Sequence, residues 1–266
     1  MKLYHIEFMG LPGVGKTVTR KKLVQRLQLE NKDMYLTMEE AFMHVAKSNM
    51  DAIYRVIIKS LPSSIAIKFT NKLMNRSLMQ YEAQNVFLAK FGKSFESFLA
   101  SPEFDALSVG DRAILISGFF QIGALYESVN EQLDEKIAVF FEEGFIQKSF
   151  MFICHITNEQ SEVTHLYNYL ENIPMADLII YIKADLDTCY QRMFHRPQGL
   201  TSRLKKVDKD AVYSFLIKSE KHLHNVVSWL RDNKNIHILE INNDNYLDEV
   251  ISCVQNDVKT YLENDF

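Results

Sequence analysis

The stretch that decides the fold is "GLPGVGKT", residues 10–17. Four residues separate Gly10 from the run Gly15, Lys16 and Thr17, and this spacing matches the phosphate-binding loop pattern at every position. A triphosphate tail needs a nest of backbone donors, a long cation and a metal ligand, and this stretch supplies all three. The sequence therefore predicts bound ATP with Mg²⁺, in which Thr17 provides the metal ligand and Lys16 reaches the β- and γ-phosphates.

The predicted nucleotide contacts are the whole loop and the residue after it. They are Gly10, Leu11, Pro12, Gly13, Val14, Gly15, Lys16, Thr17 and Val18. A β-rich run at residues 3–9 precedes the loop, and a helical pattern at residues 16–32 follows it. This flanking context supports the loop assignment, because the backbone N–H groups are aimed at a phosphate only between a buried strand and a helix start.

Further strands alternate with helices along the chain, which indicates an α/β protein with a parallel, doubly wound sheet. The predicted strands lie at residues 3–9, 33–38, 136–144, 176–185 and 235–244. The predicted helices after the third strand cover residues 157–172, 186–199, 211–231 and 245–264. In such a sheet, ligands bind at the carboxyl ends of the strands.

A large helical insertion separates the second and third strands, which divides the chain into a nucleotide-binding core at 1–43 and 135–266 and an insertion at 44–134. The insertion shows helical spacing, with Pro62 and Pro102 as punctuation. Its segment 112–129, "RAILISGFFQIGALYESV", is apolar on nearly every side and predicts a helix buried between layers.

The overall composition indicates which partners and which location to expect. The chain has 266 residues, of which 47% are hydrophobic, and a net charge of -4, so neither nucleic acid nor a membrane is expected as a partner. Three scattered cysteines favour a reducing, cytoplasmic location. No signal peptide and no apolar run of bilayer length are expected, and an oligomer is left open.

Carboxylates follow two of the predicted strands. Glu39 and Glu40 end the second strand, and Glu142 and Glu143 end the third, so both pairs fall at the edge where ligands bind. One of Glu142 and Glu143 is expected to orient water on Mg²⁺, and the sequence leaves open which one. A carboxylate at a strand end is also a common helix cap, which is the competing interpretation.

Three late arginines are candidates for stabilising charge on the transferred group. Arg192 and Arg196 are four residues apart and share a helical face, and Arg203 follows a turn. Arginines delivered by a mobile lid can neutralise the γ-phosphate oxygens when the site closes. The alternative for each is a solvated basic helix end.

Taken together, the sequence resembles the P-loop kinases that phosphorylate nucleosides, nucleotides and other small molecules, including deoxynucleoside, thymidylate and adenylate kinases. The resemblance rests on "GLPGVGKT", the pair Glu39 and Glu40, "FFEEG" at 140–144 and "ADLIIYIKADLDTCYQRMFHRPQGLTSR" at 176–203. It implies a P-loop NTPase three-layer α/β/α fold with a five-stranded parallel sheet. It also implies an ATP-dependent phosphotransferase in which Glu39 accepts the proton of the acceptor hydroxyl or holds the substrate. In such an enzyme the insertion at 44–134 is expected to supply the binding region for the phosphoryl acceptor.

Four side chains of the insertion are weaker candidates for the acceptor site. Tyr81 and Gln84, in "MQYEAQNVF" at 79–87, are similar to residues with which deoxynucleoside kinases hold a base. Arg112, after Asp111, resembles the acid–Arg pair of that family. Gln121 lies in the apolar segment and needs a partner if it is buried, either the substrate or another side chain, of which we favour the side chain.

Other classes of P-loop protein fit less well. The guanine-reading Asn-Lys-x-Asp of GTPases and the signature segment of transport ATPases are missing from the sequence, and Gly-Lys-Thr suits a triphosphate better than a sulfotransferase donor. The remaining alternative is an ATP-binding regulatory or interaction protein with slow NTPase activity. That alternative predicts that Phe87, Phe91, Phe95 and Phe98 form one exposed patch, whereas a kinase needs a pocket between insertion and sheet.

Overall fold

The computed structural model describes residues 3–49, 78–133, 136–155, 159–196, 200, 208–244 and 247–264. Pro62 and the predicted lid residue Arg203 lie outside these residues, and the side chain of Tyr81 is likewise outside the description.

In the described part of the chain a parallel β-sheet of five strands forms the centre of the protein, as predicted. Its strand order, which the sequence did not predict, is β2-β3-β1-β4-β5. Its strands are β1 Tyr4–Gly10, β2 Tyr35–Thr37, β3 Ala138–Phe141, β4 Leu178–Lys183 and β5 His237–Asn242. All four neighbouring pairs run parallel. Strand β1 is central and is buried along its whole length, which is typical of a parallel strand covered on both faces. The sheet therefore delivers the glycine loop from its middle.

Twelve helices accompany the sheet in the described residues. They are α1 Lys16–Glu30, α2 Met38–Asn49, α3 Leu78–Phe91, α4 Lys93–Leu99, α5 Pro102–Asp105, α6 Val109–Gln132, α7 Phe145–Lys148, α8 Phe150–His155, α9 Glu159–Asn172, α10 Leu186–Phe194, α11 Lys209–Asn233 and α12 Leu247–Asn264. Helices α1 and α12 pack together, whereas α8, α9 and α10 all contact α11. Because parallel crossovers are right-handed, the two groups cover opposite faces of the sheet and give the predicted three layers.

The second strand is shorter than predicted. It ends at Thr37, and α2 begins at once, so Glu39 and Glu40 occupy the first turn of that helix. Glu40 accepts a hydrogen bond from the backbone N–H of Thr37, and its own N–H donates to the Thr37 hydroxyl. This reciprocal cap fixes the turn that carries Glu39.

Helix α6, which contains the apolar segment 112–129, packs against α3 and α2. Leu115, Phe119 and Ile122 are buried. The expectation of burial on nearly every side is wrong for one side of this helix, where Ile114 is 61% exposed and Gln121 is also exposed. The exposed side faces cavities at the edge of the sheet, which the hydropathy pattern alone does not reveal.

The phenylalanines of the insertion are buried in the same core as the sheet. Phe87 stacks on Phe145 with ring centroids 5.3 Å apart, and Phe95 stacks on Phe119 at 4.8 Å. Phe98 is fully buried as well, and Phe91 is partly buried against the same cluster. The exposed aromatic patch predicted by the interaction-protein alternative does not form from these side chains.

Across the described residues, no helix combines the length and the apolar character needed to cross a bilayer.

Candidate active site

The glycine loop joins β1, which ends at Gly10, to α1, which begins at Lys16. Gly13 and Gly15 have φ angles of 87° and 101°, in the left-handed region that glycine adopts without strain. A Cβ on Gly13 would lie 2.3 Å from the Cys189 carbonyl oxygen, and one on Gly15 would lie 2.5 Å from the amide nitrogen of Asn243. Glycine is therefore favoured at both positions by conformation, and at Gly13 it is also required by the backbone that a Cβ would meet.

Lys16 folds back over the loop. Its Nζ donates hydrogen bonds to the carbonyl oxygens of Gly10 at 2.7 Å and Leu11 at 3.1 Å. Burial lowers the pKa of Lys16 to about 8, although the carboxylates of Glu143 and Glu142 partly oppose this shift. A phosphate group bound at the loop would place a negative charge beside this desolvated ammonium and so favour its charged form.

Arg192 is anchored through one terminal nitrogen, whereas its other terminal nitrogen is buried and unpaired within the described part of the chain. Its Nη2 donates to the Asn243 carbonyl oxygen at 3.0 Å, while its Nη1 is buried and has no hydrogen-bond partner among the described residues. Asn243 also donates from Nδ2 to the Val14 carbonyl oxygen at 2.6 Å and so braces the loop. The charge of Arg196, which is exposed, contributes to the lowered pKa of Lys16. Arg192 and Arg196, the two predicted arginines that the structure describes, line the same cavity as the loop.

The two glutamates after β3 have different partners. The Thr17 hydroxyl donates to Glu142 Oε1. Glu143 lies 3.6 Å from Lys148 Nζ, and its side chain is 60% exposed compared with 29% for Glu142. Of the two candidates left open by the sequence, Glu142 is the one in contact with the predicted metal-ligating hydroxyl.

Arg20 was not singled out from the sequence, yet it contacts two of the predicted carboxylates. Its Nη1 donates to Glu39 Oε2 at 2.9 Å, and its Nη2 lies 3.0 Å from Glu142 Oε2. Burial alone would raise the pKa of Glu39, but the hydrogen bonds and charge of Arg20 outweigh burial and hold the pKa below its usual value. The only available signal was that Arg20 follows Lys16 by four residues and Thr17 by three, on one face of α1.

A buried hydrogen-bond chain fixes the start of the loop from below. Gln147 Oε1 accepts the N–H of Gly10 at 3.0 Å, and the N–H of Gln147 donates to Glu7 Oε1 at 2.7 Å. Burial raises the pKa of Glu7 to about 7. Gly144 packs directly on Glu7, since a Cβ there would lie 2.3 Å from its carboxyl carbon. Gln147 and Glu7 therefore support the loop, and neither was identified from the sequence.

Two cavities meet at this edge of the sheet. The first, which we call the loop cavity, has a volume of about 1010 Å³ and is lined by residues that include Gly13, Lys16, Thr17, Arg192 and Arg196. The second, which we call the helix cavity, has a volume of about 540 Å³ and is lined by residues that include Arg20, Glu39, Phe42, Gln121 and Leu125. Gly118, Glu142, Glu143 and Lys148 line both cavities. The helix cavity lies between the insertion and the core.

Of the weaker candidates in the insertion whose side chains the structure describes, one lines the helix cavity and two line neither cavity. Gln121 lines the helix cavity, so its amide is available to a ligand. Arg112 instead lies 3.9 Å from Asp105 and over the Phe104 ring, and it lines neither cavity. Gln84 also lines neither.

The donor set of the loop cavity fits a magnesium-bound triphosphate. Lys16 and the buried Nη1 of Arg192 are cationic donors, and the adjoining Thr17 and Glu142 oxygens are hard ligands suited to Mg²⁺. No cluster of three or more His, Cys, Asp or Glu side chains occurs in the described part of the chain.

Neither a protein-family model nor a curated protein matches the sequence. Three solved structures of deoxyadenosine kinase from M. mycoides are similar to this chain. The structure with the products dCMP and a flexible dCDP has 11% identity, covers 96% of this chain and 98% of its own, and gives a TM-score of 0.47. The dATP complex has 12% identity, covers 96% of this chain and 99% of its own, and gives a TM-score of 0.48. The dCTP complex has 11% identity, covers 96% of this chain and 99% of its own, and gives a TM-score of 0.44. At these identities and TM-scores, neither the activity nor the substrate of those enzymes is carried over to this chain.

Proposed function

We propose that this protein is an ATP-dependent kinase that transfers the γ-phosphoryl group to a hydroxyl of a small molecule that is nucleoside-like or nucleotide-like. The observation that carries the proposal is the contact between two cavities of opposite character. The loop cavity presents Lys16, Arg192 and Arg196, whereas the helix cavity presents the carboxylate of Glu39. A donor phosphate and an acceptor hydroxyl need these two environments side by side.

On the donor side, side chains and backbone groups of this chain bind the phosphates of ATP and neutralise their charge. The loop N–H groups and Lys16 bind the phosphates, and Thr17 and Glu142 hold Mg²⁺, which when bound neutralises charge on the phosphate oxygens. Arg192 keeps one guanidinium nitrogen on Asn243 and has the other free for a phosphate oxygen. Arg196 is exposed at the cavity rim and can approach when the site closes.

On the acceptor side, Glu39 positions the attacking hydroxyl and takes its proton. Because Arg20 lowers the pKa of Glu39, the carboxylate is ionised at neutral pH and accepts a hydrogen bond from a hydroxyl. The apolar walls from Phe42, Ile122 and Leu125 suit an uncharged ring, and Gln121 adds one amide for polar recognition.

The charges of the helix cavity favour an uncharged acceptor over a monophosphate. Its described cations are Arg20 and Lys148, and both are already paired, with Glu39 and Glu142 and with Glu143 respectively. A second phosphate group entering this cavity would meet carboxylates without a free cation to offset them. We therefore favour a nucleoside over its monophosphate.

The deciding experiment is a transfer assay with γ-labelled ATP and Mg²⁺ against matched acceptors: nucleosides and their monophosphates, sugars and their phosphates, and amino-alcohol antibiotics. We expect label in the product of an unphosphorylated acceptor. Label in a diphosphate made from a monophosphate would leave the kinase assignment in place and contradict the charge argument. Slow hydrolysis stimulated only by another protein would contradict the kinase assignment itself.

A further inference from the structure

The guanidinium of Arg20 is shared between the two halves of the site. Its side chain is only 5% exposed. Nη1 is 2.9 Å from Glu39 Oε2, whereas Nη2 lies 3.0 Å from Glu142 Oε2 and 3.4 Å from Glu39 Oε1. One nitrogen thus serves two carboxylates, and its bond to Glu39 is the longer one.

Glu142 is in turn shared between Arg20 and Thr17, since its other oxygen accepts a hydrogen bond from the Thr17 hydroxyl. A continuous chain therefore runs from Thr17 through Glu142 and Arg20 to Glu39, and connects the loop cavity with the helix cavity. Whatever draws Glu142 away from Nη2 leaves that nitrogen available to Glu39. An arginine that donates from both nitrogens to one carboxylate holds it in a fixed orientation.

We propose that Arg20 is a positioning residue that couples the filling of the metal and nucleotide site to the orientation of Glu39 at the acceptor site. This inference rests on the proposed function, because it gives Thr17 and Glu142 to a divalent cation. When Glu142 engages the cation, Arg20 turns its full fork to Glu39, and the acceptor carboxylate is set only in the loaded enzyme. By reciprocity, Glu39 assists metal binding because it competes with Glu142 for Nη2.

A purely structural role for Arg20 predicts something different. A buried ion pair that only joins α1 to α2 would change the stability of the fold, without any link between Glu39 and the metal. A through-space effect of the Glu39 charge would link them, but the link would not need Arg20. The two alternatives can be separated by the metal-dependent gain in ADP affinity, which is the ratio of the ADP dissociation constants without and with Mg²⁺.

The experiment measures this ratio by calorimetry in wild type, Glu39→Gln and Glu40→Gln. Glu40 is the matched control, because it loses the same charge one residue away and pairs with Gln28 and the Thr37 N–H instead of Arg20. We expect Glu39→Gln to lower the gain by at least about fivefold, the low end of coupling between sites. Glu40→Gln should change it less than about twofold, and the affinity for ADP in EDTA should stay the same in both variants.

The same ratio is then measured for Glu39→Gln in an Arg20→Lys background, where a single ammonium cannot span both carboxylates. We expect the effect of Glu39→Gln to disappear there. An equal effect in both backgrounds, or an effect no larger than that of Glu40→Gln, would overturn the coupling while leaving Mg²⁺ and ADP binding intact. Absence of ADP binding to wild type would overturn the proposed function and the coupling with it. The Glu39 and Glu40 comparison stands even if Arg20→Lys does not fold.

Discussion

The two cavities that meet at the sheet edge are built in opposite ways. The loop cavity owes its chemistry to one contiguous stretch, residues 10–17, backed by the partly free guanidinium of Arg192. The helix cavity is assembled from α1, α2, α6 and the end of β3, and its described cations are all paired with carboxylates. Free cations suit a charged donor and paired ones suit a neutral acceptor, so substitutions on each side should affect different kinetic constants.

The largest effect should come from Lys16→Ala. The variant loses a charge-assisted contact to the phosphates as well as stabilisation of the transition state. Together these losses should lower kcat/KM by roughly 10⁴–10⁵-fold, from about 100-fold in binding and about 10²–10³-fold in the chemical step. ADP binding by calorimetry and turnover in the γ-label assay should both be abolished or nearly so.

Lys22→Ala is the matched control for that variant. Lys22 lies on the same helix and pairs with Asp248 on the protein surface at 3.3 Å. It should bind ADP like wild type. Normal ATP affinity and turnover in Lys16→Ala would refute the assignment of the loop.

Glu39→Gln should damage the acceptor side selectively. Loss of the carboxylate that orients the hydroxyl and takes its proton should lower kcat by about 10²–10³-fold. Because Glu39 does not line the loop cavity, the affinity for metal-free ADP should not change. A loss of metal-free ADP binding equal to the loss of kcat would mean that the two sides are not separate.

Arg196→Ala should produce a smaller loss, about 10–100-fold in turnover, with little change in the dissociation constant for ATP. Arg196 is exposed in this state and is expected to contact the phosphates only on closure. Arg231→Ala, which removes an exposed arginine paired with Glu240, is the control. Equal losses in binding and turnover would make Arg196 a ground-state contact instead.

The sequence predicts the loop side much better than the acceptor side, for a physical reason. A phosphate nest is formed by consecutive backbone groups, so its glycines and Lys16 are adjacent in the chain and fit one pattern. The parallel sheet was also predictable, since apolar runs such as residues 178–182 are typical of strands buried on both faces.

Arg20, Gln147 and Asn243 could not be predicted, because their partners are distant in sequence. Arg20 meets Glu142, and Asn243 meets the Val14 carbonyl, only after β3 and β5 have joined the sheet. The exposed side of α6 was missed because an apolar helix that lines a cavity has the same composition as one that is fully buried. Tertiary context, rather than local propensity, decides these positions.

The smallest effect on turnover should come from Glu7→Gln, which acts beneath both cavities and should change the stability of the fold instead. Glu7 supports the Gln147 bond to Gly10 beneath the loop, and Gln147 directly precedes Lys148, which lines both cavities.

Glu7 has an ordinary pKa of 4.5, and burial raises it to about 7 in the folded protein. Between those values the folded state keeps a proton that the unfolded state has lost, so stability falls as pH rises from about 4.5 to about 7 and then levels off. The full loss is on the order of 3 kcal/mol.

Glutamine keeps a carbonyl oxygen for the Gln147 N–H and cannot ionise. In urea unfolding at pH 5, 6, 7 and 8, the free energy of unfolding of the variant should therefore rise relative to that of wild type up to about pH 7. The difference should persist at pH 8. Glu240→Gln, which removes a carboxyl whose pKa is lowered by Lys183, should show no such gain in this range. Parallel curves for wild type and Glu7→Gln would mean that Glu7 is not the titrating group beneath the loop.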